Sequence, residues 1–182
     1  MFFLRAAPRA DSEEPMPVTP FHIGPGILAK AVLPRRFSFS SFLLTQVAID
    51  AEVVCYMVRG KWPLHRFYHT LPGCTFAGLV SGALILMAGA LIARRFARDS
   101  AELRKPAVRS EWSWAGALTG ALFGAWSHAL LDAILYDDVR IFWPFSDAIP
   151  FYGMIAMGTL HAGCLVAGAL GVVVLLMRRS SL

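Results

Sequence analysis

Residues 73–93 (GCTFAGLVSGALILMAGALIA) run for 21 positions without one charged side chain. About 20 such residues at 1.5 Å each cover the hydrocarbon of a bilayer, so the stretch predicts a transmembrane helix. That constrains the whole chain, because in lipid every backbone polar group must be satisfied internally. Three further apolar runs of spanning length lie at residues 38–58, 112–135 and 151–177, the first two carrying a few acidic residues. A fourth, at 20–33 (PFHIGPGILAKAVL), is too short to cross unaided and carries Gly24, Pro25 and Gly26, which predicts a bent or partly inserted helix. The expectation is all-α: a multi-pass transmembrane bundle of four to five hydrophobic helices, forming a single integral membrane domain over 16–182. Residues 1–15 (MFFLRAAPRADSEEP) have too short an apolar part for a signal peptide, with Asp11, Glu13 and Glu14 following it. They read as a disordered extension or as a start assigned too early, Met16 opening a cleaner beginning.

Composition agrees with lipid as the solvent. Apolar residues make up 57% and charged ones 16%, against about 45–50% and 25% in soluble domains; the mean hydropathy is +0.57. A net charge of +5 would suit nucleic acid, but its distribution speaks against that partner, because the basic residues cluster at the ends of apolar runs. Lys30, Arg35, Arg36, the six between Arg94 and Arg109, Arg178 and Arg179 fall on one side, which the positive-inside rule makes cytoplasmic along with the C-terminus. Cys55, Cys74 and Cys164 form no C-x-x-C and no even set, and read as small buried residues rather than a disulfide or zinc-knuckle framework.

The ionisable residues inside this apolar chain are few and patterned. Trp62-Pro63-Leu64-His65-Arg66-Phe67-Tyr68-His69-Thr70 sets two histidines four apart behind a proline suited to the first position of a helix. On a helix both imidazoles would share a face and, when neutral, a metal ion; the alternative is polar dressing at headgroup level. Asp50 and Glu52 lie within the 38–58 run, where carboxylates are costly unless they face a partner or a cavity. His128 and Asp132 repeat the four-residue spacing, and His22 opens the short segment. Threading the chain through the membrane brings His22, Asp50, Glu52, His65, His69, His128 and Asp132 to one outer level. Imidazole and carboxylate suit zinc, manganese or iron, as one ion or as a pair that activates water. Asp50 or Glu52 could instead act as general base, its pKa raised by apolar surroundings. His161, alone among small apolar residues, reads as a packed polar side chain. Ser127 precedes His128 directly and so points elsewhere, which excludes a Ser-His-Asp triad.

Thr19-Pro20-Phe21-His22, Asp50-Ala51-Glu52, His65-Arg66-Phe67-Tyr68-His69-Thr70, Ser127-His128-Ala129-Leu130-Leu131-Asp132 and Trp143-Pro144-Phe145 together resemble the pattern of the bacterial membrane-bound metal-dependent hydrolases. These inner-membrane-associated hydrolases are distantly similar to zinc-dependent phospholipase C. The resemblance covers residues 16 to about 150, although Asp50-Ala51-Glu52 stands where that family usually has two aspartates after a proline. It implies divalent-metal binding by His22, Asp50, His65, His69, His128 and Asp132. The expected function is hydrolysis of a phosphoester or similar bond in an amphiphilic or lipid-derived substrate, in the inner membrane, with the site towards the periplasm. Two rival classes use the same residues: a transport or ion-conducting protein, and a non-catalytic membrane scaffold.

Overall fold

The computed structural model describes residues 20–96 and 106–180. Among them the regular structure is entirely helical. A 3₁₀ turn, Pro20–His22, leads into α1 (Ile23–Val32); α2 (Phe39–Val58) follows, then a second 3₁₀ turn at Phe67–His69. α3 (Leu71–Phe96), the short α4 (Pro106–Glu111), α5 (Trp114–Leu135) and α6 (Met157–Ser180) complete the order. α2, α3, α5 and α6 are each long and apolar enough to cross a membrane. Local chemistry sets their starts. Ser38, Thr70 and Ser113 each accept a hydrogen bond from the backbone N–H three residues on, at 3.1, 3.1 and 3.0 Å, the usual way to satisfy a helix's first free donors. Pro25 does not interrupt α1: it stands in the first turn, where a missing N–H leaves no bond unmade.

α5 is the central element, packed between α2 and α3. Its inner face is a column of small residues, Ala117, Ala121, Ala125, Ala129 and Ala133, all buried. In lipid, helices associate mainly through such close van der Waals packing. A Cβ on Gly120 would lie 2.0 Å from the Ser38 carbonyl oxygen, so only glycine lets α5 approach the start of α2 this closely. The Gly78–Gly82 face of α3 is the one turned to Ala121 and Ala117 of α5. α6 packs chiefly on α1 and leaves Leu165, Val166, Leu170, Val173 and Leu176 exposed, as suits a lipid-facing helix.

The chain ends sort by charge. Arg35, Arg36, Arg94, Arg95, Arg109 and Arg178 all stand at helix ends on one side of the bundle. There Lys30 pairs with Glu111 and donates to Phe37 O (2.8 Å) and Ser110 Oγ (3.1 Å), while Glu111 Oε2 accepts from Ser40 N (2.9 Å) and Ser38 Oγ (3.1 Å). Three expectations are corrected or fall outside view. Residues 61–66 are not helical, and Pro63 does not begin a helix: α3 starts at Leu71. The backbone N–H groups of Leu64 and His65 donate to Asp138, and those of Arg66 and Tyr68 to Glu52, so carboxylates from elsewhere replace helical carbonyls as their acceptors. The last span begins at Met157 rather than 151, because residues 150–154 turn, with Gly153 at φ 72°. The reading of residues 1–15, and the basic residues Arg98, Arg104 and Lys105, lie outside the described residues.

Candidate metal centre

Opposite the basic end, four segments deliver polar side chains to one buried spot. The 3₁₀ turn before α1 supplies His22, α2 supplies Gln46, Asp50 and Glu52, residues 64–69 supply His65 and His69, and α5 supplies His128 and Asp132. His22 and His65 are each 3% exposed, Asp132 1%, and His69 and His128 fully enclosed. Asp132 is the hub. Its Oδ1 lies 3.5 Å from His22 Nε2, and its Oδ2 lies 3.3 Å from His69 Nε2 and 3.0 Å from His128 Nε2. Asp50 Oδ1 lies 3.3 Å from the same His128 nitrogen. Three overlapping trios, His22–His128–Asp132, Asp50–His69–His128 and His65–His69–Asp132, each hold their donor atoms within 4.8 Å of one another.

These atoms crowd without bonding. The Nε2 atoms of His22, His65, His69 and His128 and both oxygens of Asp132 are buried and make no hydrogen bond. Each such group costs about 1–3 kcal/mol when left unpaired, and native structures hold few of them. Six such atoms on residues of overlapping trios are the arrangement a bound cation relieves, and imidazole with carboxylate is a donor set suited to a divalent metal.

A second layer orients the first. His65 Nδ1 lies 2.6 Å from Asp138 Oδ1, His69 Nδ1 3.3 Å from Glu52 Oε2, and His128 Nδ1 2.5 Å from Gln46 Oε1. A proton on each Nδ1 donates outwards to these oxygens and leaves Nε2 as an inward lone pair, the usual way metal-binding imidazoles are held. The same two carboxylates fix the backbone. Asp138 Oδ2 accepts from Leu64 N (3.0 Å) and His65 N (3.1 Å), and Glu52 Oε2 from Arg66 N (3.1 Å) and Tyr68 N (3.0 Å). His65 and His69 therefore meet, ring centroids 4.6 Å apart, without the helix that their spacing predicted.

The charges fit this layout. Burial pushes the His22 pKa down to about 4, against the pull of Asp132, which keeps the imidazole neutral. At His69 burial also acts downwards, but the neighbouring carboxylates of Asp132 and Glu52 outweigh it and raise the pKa. The carboxylates thus call for a positive charge among them. Burial would raise the Asp138 pKa; its bond to His65 lowers it instead.

All seven residues singled out from the sequence reach this region, in different layers. His22, His65, His69, His128, Asp132 and Asp50 present donor atoms to the trios, whereas Glu52 sits outside them, on the Nδ1 side of His69. Gln46 and Asp138 escaped the sequence reading. Gln46 had a signal, a lone amide one helical turn before Asp50; Asp138 was one of several aspartates in a loop and had none. His161 stacks on Phe21 with centroids 4.4 Å apart, beside the cluster, and its Nε2 is buried without a hydrogen-bond partner. Ser127 Oγ bonds back to Gly124 O on its own helix. Of the cysteines, Cys74 and Cys164 are buried as expected, Cys55 is exposed, and all three are free.

A family model described as YdjM inner membrane protein matches residues 18–181. No curated protein and no solved structure matches. The match supports the inner-membrane setting that the apolar helices imply; the hydrolase and phospholipase C likeness receives no support from it. With nearly its whole length covered, the chain belongs to the YdjM inner membrane protein family.

Proposed function

We propose that this protein is an integral-membrane metal-dependent hydrolase, cleaving a phosphoester or similar bond of an amphiphilic or lipid-derived substrate. The observation that carries the reading is the set of six buried, unbonded donor atoms, with three of the four imidazoles held from behind by Asp138, Glu52 and Gln46. His22, His65, His69, His128 and Asp132 would hold the metal, zinc, manganese or iron, as one ion or two. Asp132 turns its two oxygens to different imidazoles, Oδ1 to His22 and Oδ2 to His69 and His128. Bound there, a divalent ion would supply Lewis acidity to a water and to a phosphoryl oxygen.

The protein's own groups divide the remaining work. Asp50, with a side chain 18% exposed and one oxygen at His128 Nε2, is the carboxylate placed to accept a proton from the attacking water. Glu52, already accepting three donors, positions His69 and the 66–68 backbone. The basic helix ends on the far side of the bundle point the site towards the periplasm by the positive-inside rule. A transport path would spread ionisable residues through the membrane depth. In the spanning helices the described acids and histidines, Asp50 and Glu52 of α2, His128 and Asp132 of α5 and His161 of α6, all lie in the half nearer the site, which favours the hydrolase over the channel. Hydrolysis of a p-nitrophenyl alkyl phosphate by the detergent-purified chain tests the reading. Turnover that is lost on chelation, restored by zinc or manganese and abolished in Asp50→Asn agrees with it; turnover indifferent to chelation contradicts it.

A further inference from the structure

Two hollows adjoin the site end of the bundle. The first, of about 250 Å³, lies against the second layer of the metal cluster and is lined by Glu52, His65, Asp138, Arg66, Arg140 and Trp143, among others. The second is an apolar groove of about 430 Å³ lined by Leu71, Phe76, Leu79, Phe142 and Phe145, among others. They are neighbours by construction. Leu71 N donates to Ile141 O at 2.8 Å, which pins the Arg140–Phe145 turn to the start of α3. Within that turn Trp143 lines the first hollow, and Phe142 and Phe145 line the second.

Their chemistry differs sharply. Arg66 is fixed on the wall of the first hollow, its guanidinium 3.9 Å from the Tyr56 ring centroid, with Nε donating to Pro63 O (2.9 Å) and Nη2 to Trp62 O (3.3 Å). Arg140, paired with Asp147 at 3.0 Å and still 42% exposed, lines the same hollow. The carboxylates there, Glu52 and Asp138, are each occupied by two backbone N–H groups and an imidazole. The groove has no charged lining residue, and it opens along α3 where Phe76 and Leu79 are half exposed. Phe145, at 88%, is the most exposed large apolar residue described.

We infer that the two hollows are the head and chain compartments of one site for a phosphate-bearing amphiphile with a hydrocarbon chain. Arg66 and Arg140 receive the phosphate, since guanidinium is the side chain best matched to its oxygens. Leu71, Phe76 and Leu79 receive the chain, and the Phe142–Phe145 turn separates them. This rests on the hydrolase reading for the bond to be cut and adds what the substrate must look like. A head alone would fill one compartment and leave the groove unused.

The full chain in dodecyl maltoside, titrated with dodecylphosphonate and followed by ³¹P NMR, tests it, because a C–P bond is not cut by hydrolysis. Methylphosphonate supplies the head without the chain. Loss of one charge-assisted hydrogen bond predicts about tenfold weaker dodecylphosphonate binding in Arg140→Gln, at an exposed position. Arg66→Lys, which keeps the charge but not the fork, should weaken it as well. Leu79→Trp, which fills the groove, should weaken dodecylphosphonate several-fold and leave methylphosphonate unchanged. Binding equal to the parent in both arginine variants overturns the inference. So does a Leu79→Trp chain that binds both phosphonates as before, which would mean a site for free phosphate. The titration is repeated after chelation: the inference expects the arginine and Leu79 dependences to persist, and complete loss of binding would mean that metal alone holds the ligand. A chain that binds in this way yet carries no metal would refute the hydrolase reading and leave the compartments standing.

Discussion

Replacing Asp138 by asparagine separates a metal site from a merely packed polar cluster. Asp138 touches none of the inward nitrogens. It accepts from His65 Nδ1 at 2.6 Å and from the backbone N–H groups of Leu64 and His65 at 3.0 and 3.1 Å. Asparagine keeps one oxygen for the backbone but puts an NH₂ where the second carboxylate oxygen received the imidazole proton. His65 Nδ1 must then accept, its proton moves to Nε2, and the inward lone pair is lost. Changes to such outer partners typically lower metal affinity about 10–100-fold, or about 1.4–2.7 kcal/mol. Weakening three bonds to a charged acceptor also costs the metal-free chain about 2 kcal/mol. Competition with a chromophoric chelator gives the zinc affinity, and chemical unfolding of the stripped protein gives the stability. A variant that loses stability yet binds zinc as tightly as the parent would refute the reasoning and make Asp138 a structural brace alone.

Other outcomes follow from the same geometry. Glu52→Gln should lower zinc affinity by a similar about 10–100-fold factor through His69, read by the same competition, while Gln46→Ala should act through His128. Glu111→Gln, at the opposite end, should cost about 1–2 kcal/mol of stability by removing the charge opposite Lys30, which keeps Phe37 O and Ser110 Oγ as acceptors, and leave metal content unchanged, as thermal melting and metal analysis of one sample would show. In the metal-free chain His22 titrates near 4 against 6.5 when unfolded. The unfolded state therefore takes up the proton first, and stability should fall by about 3 kcal/mol from this residue as pH drops from 6.5 to 4. His69, with its pKa raised, contributes in the other sense: its stabilisation is present below 6.5 and is lost as pH rises through its folded value. Denaturant titrations of the parent and His22→Gln should show the shallower acid dependence in the variant.

Much of the bundle was legible in the sequence because lipid imposes a simple code. Apolar runs of spanning length became α2, α3, α5 and α6, with ends displaced by up to six residues where Thr70, Ser113 and the Gly153 turn set them. The common level of His22, Asp50, His65, His69, His128 and Asp132 followed from counting crossings, since alternate helices return every second connection to one side. What periodicity could not show was the conformation of residues 61–66. His65 and His69 converge because Asp138 and Glu52, 73 and 14 residues away from the N–H groups that they bind, hold the backbone open. Such tertiary acceptors leave no trace in local spacing. Gln46 and Asp138 were missed for the same reason: their roles are defined by which imidazole each faces.

Whether the inward imidazoles and Asp132 hold a metal ion is read directly by elemental analysis of the purified full chain. About one or two equivalents of zinc, manganese or iron per chain are expected, falling to background in His69→Ala and Asp132→Ala. Less than about a tenth of an equivalent in the parent after growth and purification in metal-supplemented, chelator-free buffer, with His69→Ala and Asp132→Ala no different, would contradict metal binding there.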